Sequence, residues 1–187
     1  RWDDALREAR RACELDPLLN FFVVWTAETY AWMRRYKDGE EFVRKAQTQN
    51  PSEADAFASL LSKLELGEGN VAAALAASHL SEGKLDFSAD AKARYYARDF
   101  EHALQTIAVA KPQPDDYDLR VLEAHIYRAQ GQKEKAAIAF RRLRKMMDAT
   151  SKPAARNEFY YGSVAEFESA LGEKDKAIED ARRSMDL

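Results

Sequence analysis

Apolar residues return along this chain every three or four positions, in short runs separated by polar turns. In NFFVVWTAETYAWM, Val23, Ala27 and Tyr30 fall at i, i+4 and i+7. Phe57, Leu61 and Leu64 repeat the spacing, as do Arg120, Ala124 and Tyr127, and then Tyr161, Ala165 and Glu168. That period puts each set on one stripe of an α-helix, and such a stripe is a face to be buried. The small residue within a stripe lets a paired helix approach closely.

The runs are punctuated at regular intervals. CELDP and QTQNP place Pro17 and Pro51 34 residues apart. Ala5, Gly39 and Ala73 share that register, and so do Ala12, Ala46 and Leu80. Ala103, Ala136 and Ala177 continue the small-residue series at intervals of 30, 33 and 41 residues. Gly67, Gly69, Gly131 and Gly172 predict helix ends that use a positive φ. Self-similarity at this period signals stacked helical hairpins. The expected organisation is a second helix alone over 1–19, then hairpins over about 20–53, 54–83, 84–116, 117–152 and 153–187. That makes about eleven helices in one solenoid spanning 1–187. EARRACEL and DARRSMDL read as the second helices of the first and last copies, so both ends look like cuts through a longer array.

This pattern resembles the tetratricopeptide repeat, with an aromatic in the first helix, small residues at the crossing and a closing proline. The second copy carries it through Ala27, Tyr30, Gly39, Ala46 and Pro51, and the fifth through Ala124, Tyr127, Gly131, Ala136 and Phe140. The resemblance implies an all-α fold, a right-handed α-α superhelix of about 5.5 repeats. The third and fourth copies lack the closing proline, and the fourth is shortened around FSADAKARYYARD. The last interval is lengthened by an exposed turn at Ser151 to Pro153. The tail, AQGQKEKAAIAFRRLRKMMDA followed by ALGEKDKAIEDARRSMDL, is similar to the carboxy-terminal repeats of bacterial signalling proteins. That narrower resemblance implies a nucleotide cyclase, kinase or winged-helix domain before Arg1.

Composition adds limits. With 46% hydrophobic and 33% charged residues, seven Gly and five Pro, the chain is suited to a folded helical protein. A net charge of −3 offers no basic face, so no nucleic-acid partner is expected. No apolar run approaches the ~20 residues of a membrane span. The single cysteine, Cys13, allows no internal disulfide and suits a reducing, cytoplasmic setting.

Candidate chemistry is sparse. His79, His102 and His125 lie far apart, and no zinc spacing, phosphate loop or G-x-S-x-G elbow occurs. No catalytic, metal-binding or cofactor-binding residue is therefore expected, and the chain reads as non-enzymatic. Cys13 reads as a small inward hydrophobe, Glu40-Glu41 and Asp115-Asp116 as helix starts, and RRLRK (141–145) as a solvated face.

In a solenoid the first helices line a concave surface. The register assigns to it Phe21, Glu28, Trp32, Ser62, Lys92, Tyr96, His125, Arg128 and Glu166, a mixture able to hold a peptide or protein. Trp25 and Trp32 share a face nearly opposite the Val23–Tyr30 stripe. Two readings stand for that face: packing on neighbouring helices, or an exposed anchor. Repeats that clamp chaperone tails use a lysine and an asparagine where Val24 and Glu28 stand here, which argues against that mode. The leading expectation is a non-catalytic scaffold for a protein or peptide, in the regulatory part of a bacterial signalling protein. The alternative is self-association of a multidomain enzyme such as a cyclase or kinase, through uncapped terminal repeats.

Overall fold

The computed structural model describes residues 1–17, 19–79, 85–113, 116–151 and 156–187. Among them are eleven α-helices: α1 (Trp2–Leu15), α2 (Asn20–Trp32), α3 (Tyr36–Gln49), α4 (Ala54–Glu68), α5 (Val71–Ala77), α6 (Phe87–Tyr96), α7 (Phe100–Ala110), α8 (Tyr117–Ala129), α9 (Lys133–Thr150), α10 (Glu158–Leu171) and α11 (Lys174–Asp186). No strand is formed among the described residues beyond one isolated bridge, His79 to Leu85. The architecture is all-α, as the periodicity predicts. Leu80, Asp115 and the expected turn residues Lys152 and Pro153 lie outside the described residues.

Five hairpin turns share one geometry. One or two residues past the first helix of each hairpin, a residue takes a left-handed conformation: Arg34 (φ 55), Gly69 (φ 82), Arg98 (φ 60), Gly131 (φ 72) and Gly172 (φ 81). The following amide then reaches back five residues: Arg35 N to Tyr30 O, Asn70 to Glu65, Asp99 to Arg94, Gln132 to Tyr127 and Glu173 to Glu168, at 2.8–2.9 Å. This is the Schellman closure, which satisfies a carbonyl that the helix end would leave orphaned. The expectation for Gly67 is corrected. It lies inside α4, where an added Cβ would sit 2.3 Å from the Tyr36 ring, so its smallness serves helix contact and Gly69 makes the turn.

Several helix starts are capped by side chains. Asn70, Asp86, Asp116 and Asn157 accept from the amides of Ala73, Ala89, Leu119 and Tyr160 at 3.0–3.4 Å. Glu40 and Glu41 do not serve this purpose, because α3 already begins at Tyr36. Glu40 instead accepts from Arg44 Nε at 2.8 Å.

The chain forms two compact units, Arg1–Thr106 and Ile107–Leu187. In the first, α2 packs on α1 and α3, and α4 packs on α2, α3, α5 and α6. Val23, Ala27, Val43, Ala46, Phe57, Leu60, Leu61 and Leu64 form its core. Gly39 permits the close crossing, since a Cβ there would meet both Tyr30 and Leu64 at 2.9 Å. In the second unit α9 packs on α8 and α10, and α10 on α11. Its core joins Ala124, Ala136, Phe140, Leu143, Met147, Tyr160, Val164 and Phe167.

Candidate functional site

Helix α2 carries few polar groups for a helix on the edge of a core. Its inward side buries Val23, Thr26, Ala27, Thr29 and Tyr30. The Thr29 hydroxyl is satisfied by donating to the Trp25 carbonyl at 2.8 Å. The opposite side is apolar as well, and it stays open: Phe21 is 57% exposed, Trp25 46% and Trp32 53%. Ring centroids lie 5.9 Å apart for Phe21–Trp25 and 6.1 Å for Trp25–Trp32. Trp2 of α1, 56% exposed, extends the row with its centroid 5.9 Å from Trp32. The planes are tilted by 55–77° in these three contacts, the edge-to-face preference of aromatic pairs.

The face thus meets both readings of Trp25 and Trp32 partway. The indoles pack on each other and on Trp2, yet about half of each remains in water. Trp2 is absent from the groove that the register defines, although its position is legible in the sequence. It stands 15 residues before Pro17 and Trp32 stands 15 after it, so an antiparallel hairpin turning at Pro17 sets them side by side.

Charge enters this face through Glu28, one helical turn from both Trp25 and Trp32. Its Oε2 receives the Lys63 ammonium of α4. In the turn after α2, Arg35 lies over the inward Tyr30 ring at 5.3 Å and pairs with Asp38 at 2.6 Å. Farther along the unit, Lys92 is half-buried on α6 and Tyr96 is exposed, its ring 5.4 Å from Tyr95. Ser62 is corrected: it is 1% exposed. Helix α4 packs against four other helices, so the inward and groove sides merge and Ser62 faces protein.

The remaining three candidates meet in the second unit. His125 Nε2 and Glu166 Oε1 are 2.8 Å apart. The His125 ring stands edge-on to Phe140 at 5.4 Å, and the Arg128 guanidinium lies 5.8 Å from the same ring. Burial pushes the His125 pKa below the usual histidine value; Arg128 adds to this and Glu166 opposes it.

Among the described residues no group of three or more His, Cys, Asp or Glu could hold a metal ion. Cys13 is half-buried, with Sγ 3.5 Å from the Thr26 hydroxyl, and burial raises its pKa, which disfavours the nucleophilic thiolate. Within RRLRK, Arg141, Arg142 and Lys145 are exposed, whereas Leu143 is buried and Arg144 bonds the buried Glu168. Among the described residues no helix is long and apolar enough to cross a membrane.

No protein-family model and no curated protein matches the sequence. Solved structures do. BtubC (BKLC) from P. vanneervenii is 14% identical, with a TM-score of 0.58 over 98% of this chain and 87% of that one. A putative kinesin light chain from Podosopora anserina with nearly identical TPR-like repeats is 15% identical, with a TM-score of 0.52 over 85% of this chain and 91% of that one. A singly substituted form of that light chain matches at 14% identity and the same TM-score. The fold is TPR-like.

Proposed function

We propose that the chain is a non-catalytic scaffold that holds a protein or peptide segment, with the exposed face of α2 as its anchor. The observation that carries this is the row Phe21, Trp25, Trp32 and Trp2: four large rings in mutual contact, each about half in water. Contiguous exposed aromatic surface is characteristic of binding sites, and tryptophan is enriched among residues that dominate binding energy. Glu28, Lys92 and Tyr96 supply polar and aromatic contacts on the same unit. His125, Arg128 and Glu166 form a second candidate patch on the other. A regulatory place in a larger bacterial signalling protein suits the resemblance of the tail, and a reducing cytoplasmic setting suits Cys13.

The test is Trp32→Ala, judged by melting temperature and by affinity for peptides selected from a random display library. Retained folding with loss of selected binders supports the anchor. A collapse of stability would assign Trp32 to packing instead. Self-association is the second reading, favoured by the exposed Ile178, Met185 and Leu187 at α11. Sedimentation showing a monomer at every concentration would exclude it.

A further inference from the structure

Resting on the reading of the α2 face as a binding surface, the aromatic row points to a particular chemistry in its partner. Six cation–π contacts between described residues fall on tyrosine or phenylalanine rings. They are Arg35 on Tyr30, Arg98 on Phe100, Arg128 on Phe140, Lys135 on Tyr127, Arg156 on Tyr160 and Arg183 on Tyr161, at 4.4–5.9 Å. Five of the six cations are arginines. The indole gives the strongest cation–π attraction of any side chain, yet these six contacts include none of Trp2, Trp25 and Trp32. The chain contains three tryptophans, and all stand in this one row.

The geometry leaves those indoles available. Tilted contacts at 5.9–6.1 Å bring ring edges against neighbouring faces, and the exposures of Trp2, Trp25 and Trp32 show how much surface stays uncovered. Glu28 lies on the same helical stripe, three residues after Trp25 and four before Trp32. Its carboxylate already accepts one cation, the Lys63 ammonium. A surface that joins open indole faces to a carboxylate is complementary to a planar, weakly hydrated cation that can stack and donate at once. Guanidinium has both properties; ammonium is more compact and more strongly hydrated.

We propose that the Trp2–Trp25–Trp32 face of α1 and α2 binds an arginine-bearing peptide segment of a partner protein, its guanidinium stacked on indole and directed at Glu28. The occupant is thus a basic peptide. An acidic segment would meet the negative faces of the rings, and a purely apolar one would make no use of the ring quadrupole.

Because every tryptophan of the chain is in the row, tryptophan emission excited selectively over the eight tyrosines reports on this face alone. The first probe is a capped five-residue peptide alternating glycine and arginine; its control carries citrulline, the neutral isostere, in place of arginine. The arginine peptide is expected to change tryptophan emission saturably and to bind about tenfold more tightly than its citrulline counterpart, the scale of a cation–π contact. Glu28→Gln is expected to narrow that difference several-fold. Equal affinities for the two peptides, or no saturable change with arginine, would overturn the proposal. The comparison is made on unaltered protein, so it does not depend on any variant folding.

A second measurement separates this inference from the reading beneath it. Random-peptide display is selected in parallel on the natural chain and on Trp32→Ala. Trp32-dependent binders that share an arginine support the proposal. Trp32-dependent binders without a basic residue overturn it and leave the scaffold reading standing. Binders indifferent to Trp32 overturn both.

Discussion

The two units of this chain each gather aromatic rings, and they use them in opposite ways. In the second unit Phe140 is 0% exposed, touches Phe167 at 5.9 Å and His125 at 5.4 Å, and is overlain by Arg128. In the first unit the row of Trp2, Phe21, Trp25 and Trp32 is half in water, and the cation contacts described above for that unit fall on Tyr30 and Phe100. The turns differ too. Both hairpins of the second unit turn on glycine, Gly131 and Gly172, whereas the first uses Arg34 and Arg98 beside Gly69. A left-handed arginine is strained where a glycine is not. The two hairpin turns of the second unit therefore agree with local sequence rules, although Lys111 (φ 48) after α7 departs from them, and the first unit departs at the hairpin turn of the helix bearing the candidate site. Departures of that kind concentrate at functional surfaces.

The sharpest way to break this contrast is to truncate one ring in each unit. Phe140→Ala opens a cavity in a sealed core and is expected to cost about 3–5 kcal/mol, read from urea unfolding. Trp32→Ala removes a ring already half in water that packs mainly on other exposed rings. Its expected cost is about 1 kcal/mol, the ordinary scale of a single substitution. Similar losses for the two variants would show that the rows are one kind of packing, and the anchor reading would fail with the contrast.

The sequence makes much of the fold legible, and the reasons lie in particular residues. Val23, Ala27 and Tyr30, and likewise Phe57, Leu61 and Leu64, are all buried, because a 3.6-residue period in a hairpin stack has one core side to choose. Gly131 and Gly172 turn where expected because glycine needs no compensation there. RRYKDGEE and ARDFEHA read as turns, but Arg34 and Arg98 are not marked there as the left-handed residues because their side chains do not advertise a positive φ. Ser62 is misplaced by the register because register assumes that every first helix keeps one free side, and α4 is packed by four neighbours. Trp2 escapes it because a groove defined by first helices ignores what a second helix carries. Whether an aromatic stripe is core or surface depends on the elements beside it, and periodicity along one helix does not report those.

The turns give the next prediction. Arg34→Gly relieves the left-handed strain at the end of the helix carrying the aromatic row, and Arg34 is exposed. Relief of about 1 kcal/mol is set against the greater freedom glycine gives the unfolded chain, so a net gain under about 1 kcal/mol is expected. A rise in melting temperature of roughly 2 °C would follow for a chain of this size. Gly131→Ala in the second unit should move the opposite way, since alanine gains nothing at φ 72. Two changes of the same sign would remove the difference drawn between the turns.

The smallest effect concerns the buried ring system itself. His125 is pressed against Phe140, and burial holds its pKa below the usual histidine value of 6.5 despite the Glu166 carboxylate at 2.8 Å. A histidine that protonates less readily when folded means that the unfolded chain binds more protons as the pH falls through 6.5. Stability then declines with acidification, starting near the unfolded value and levelling once the folded ring has also protonated. At pH 7.5 both states are neutral at this site, and the penalty vanishes. His125→Gln should therefore flatten the urea midpoint between pH 7.5 and 5.5 relative to the natural chain. The exposed row of the first unit contains no histidine, so Trp32→Ala should leave that slope intact. If instead the natural chain gains stability on acidification over this range, the Glu166 pair outweighs burial. The second unit's ring cluster would then be held by charge as much as by packing.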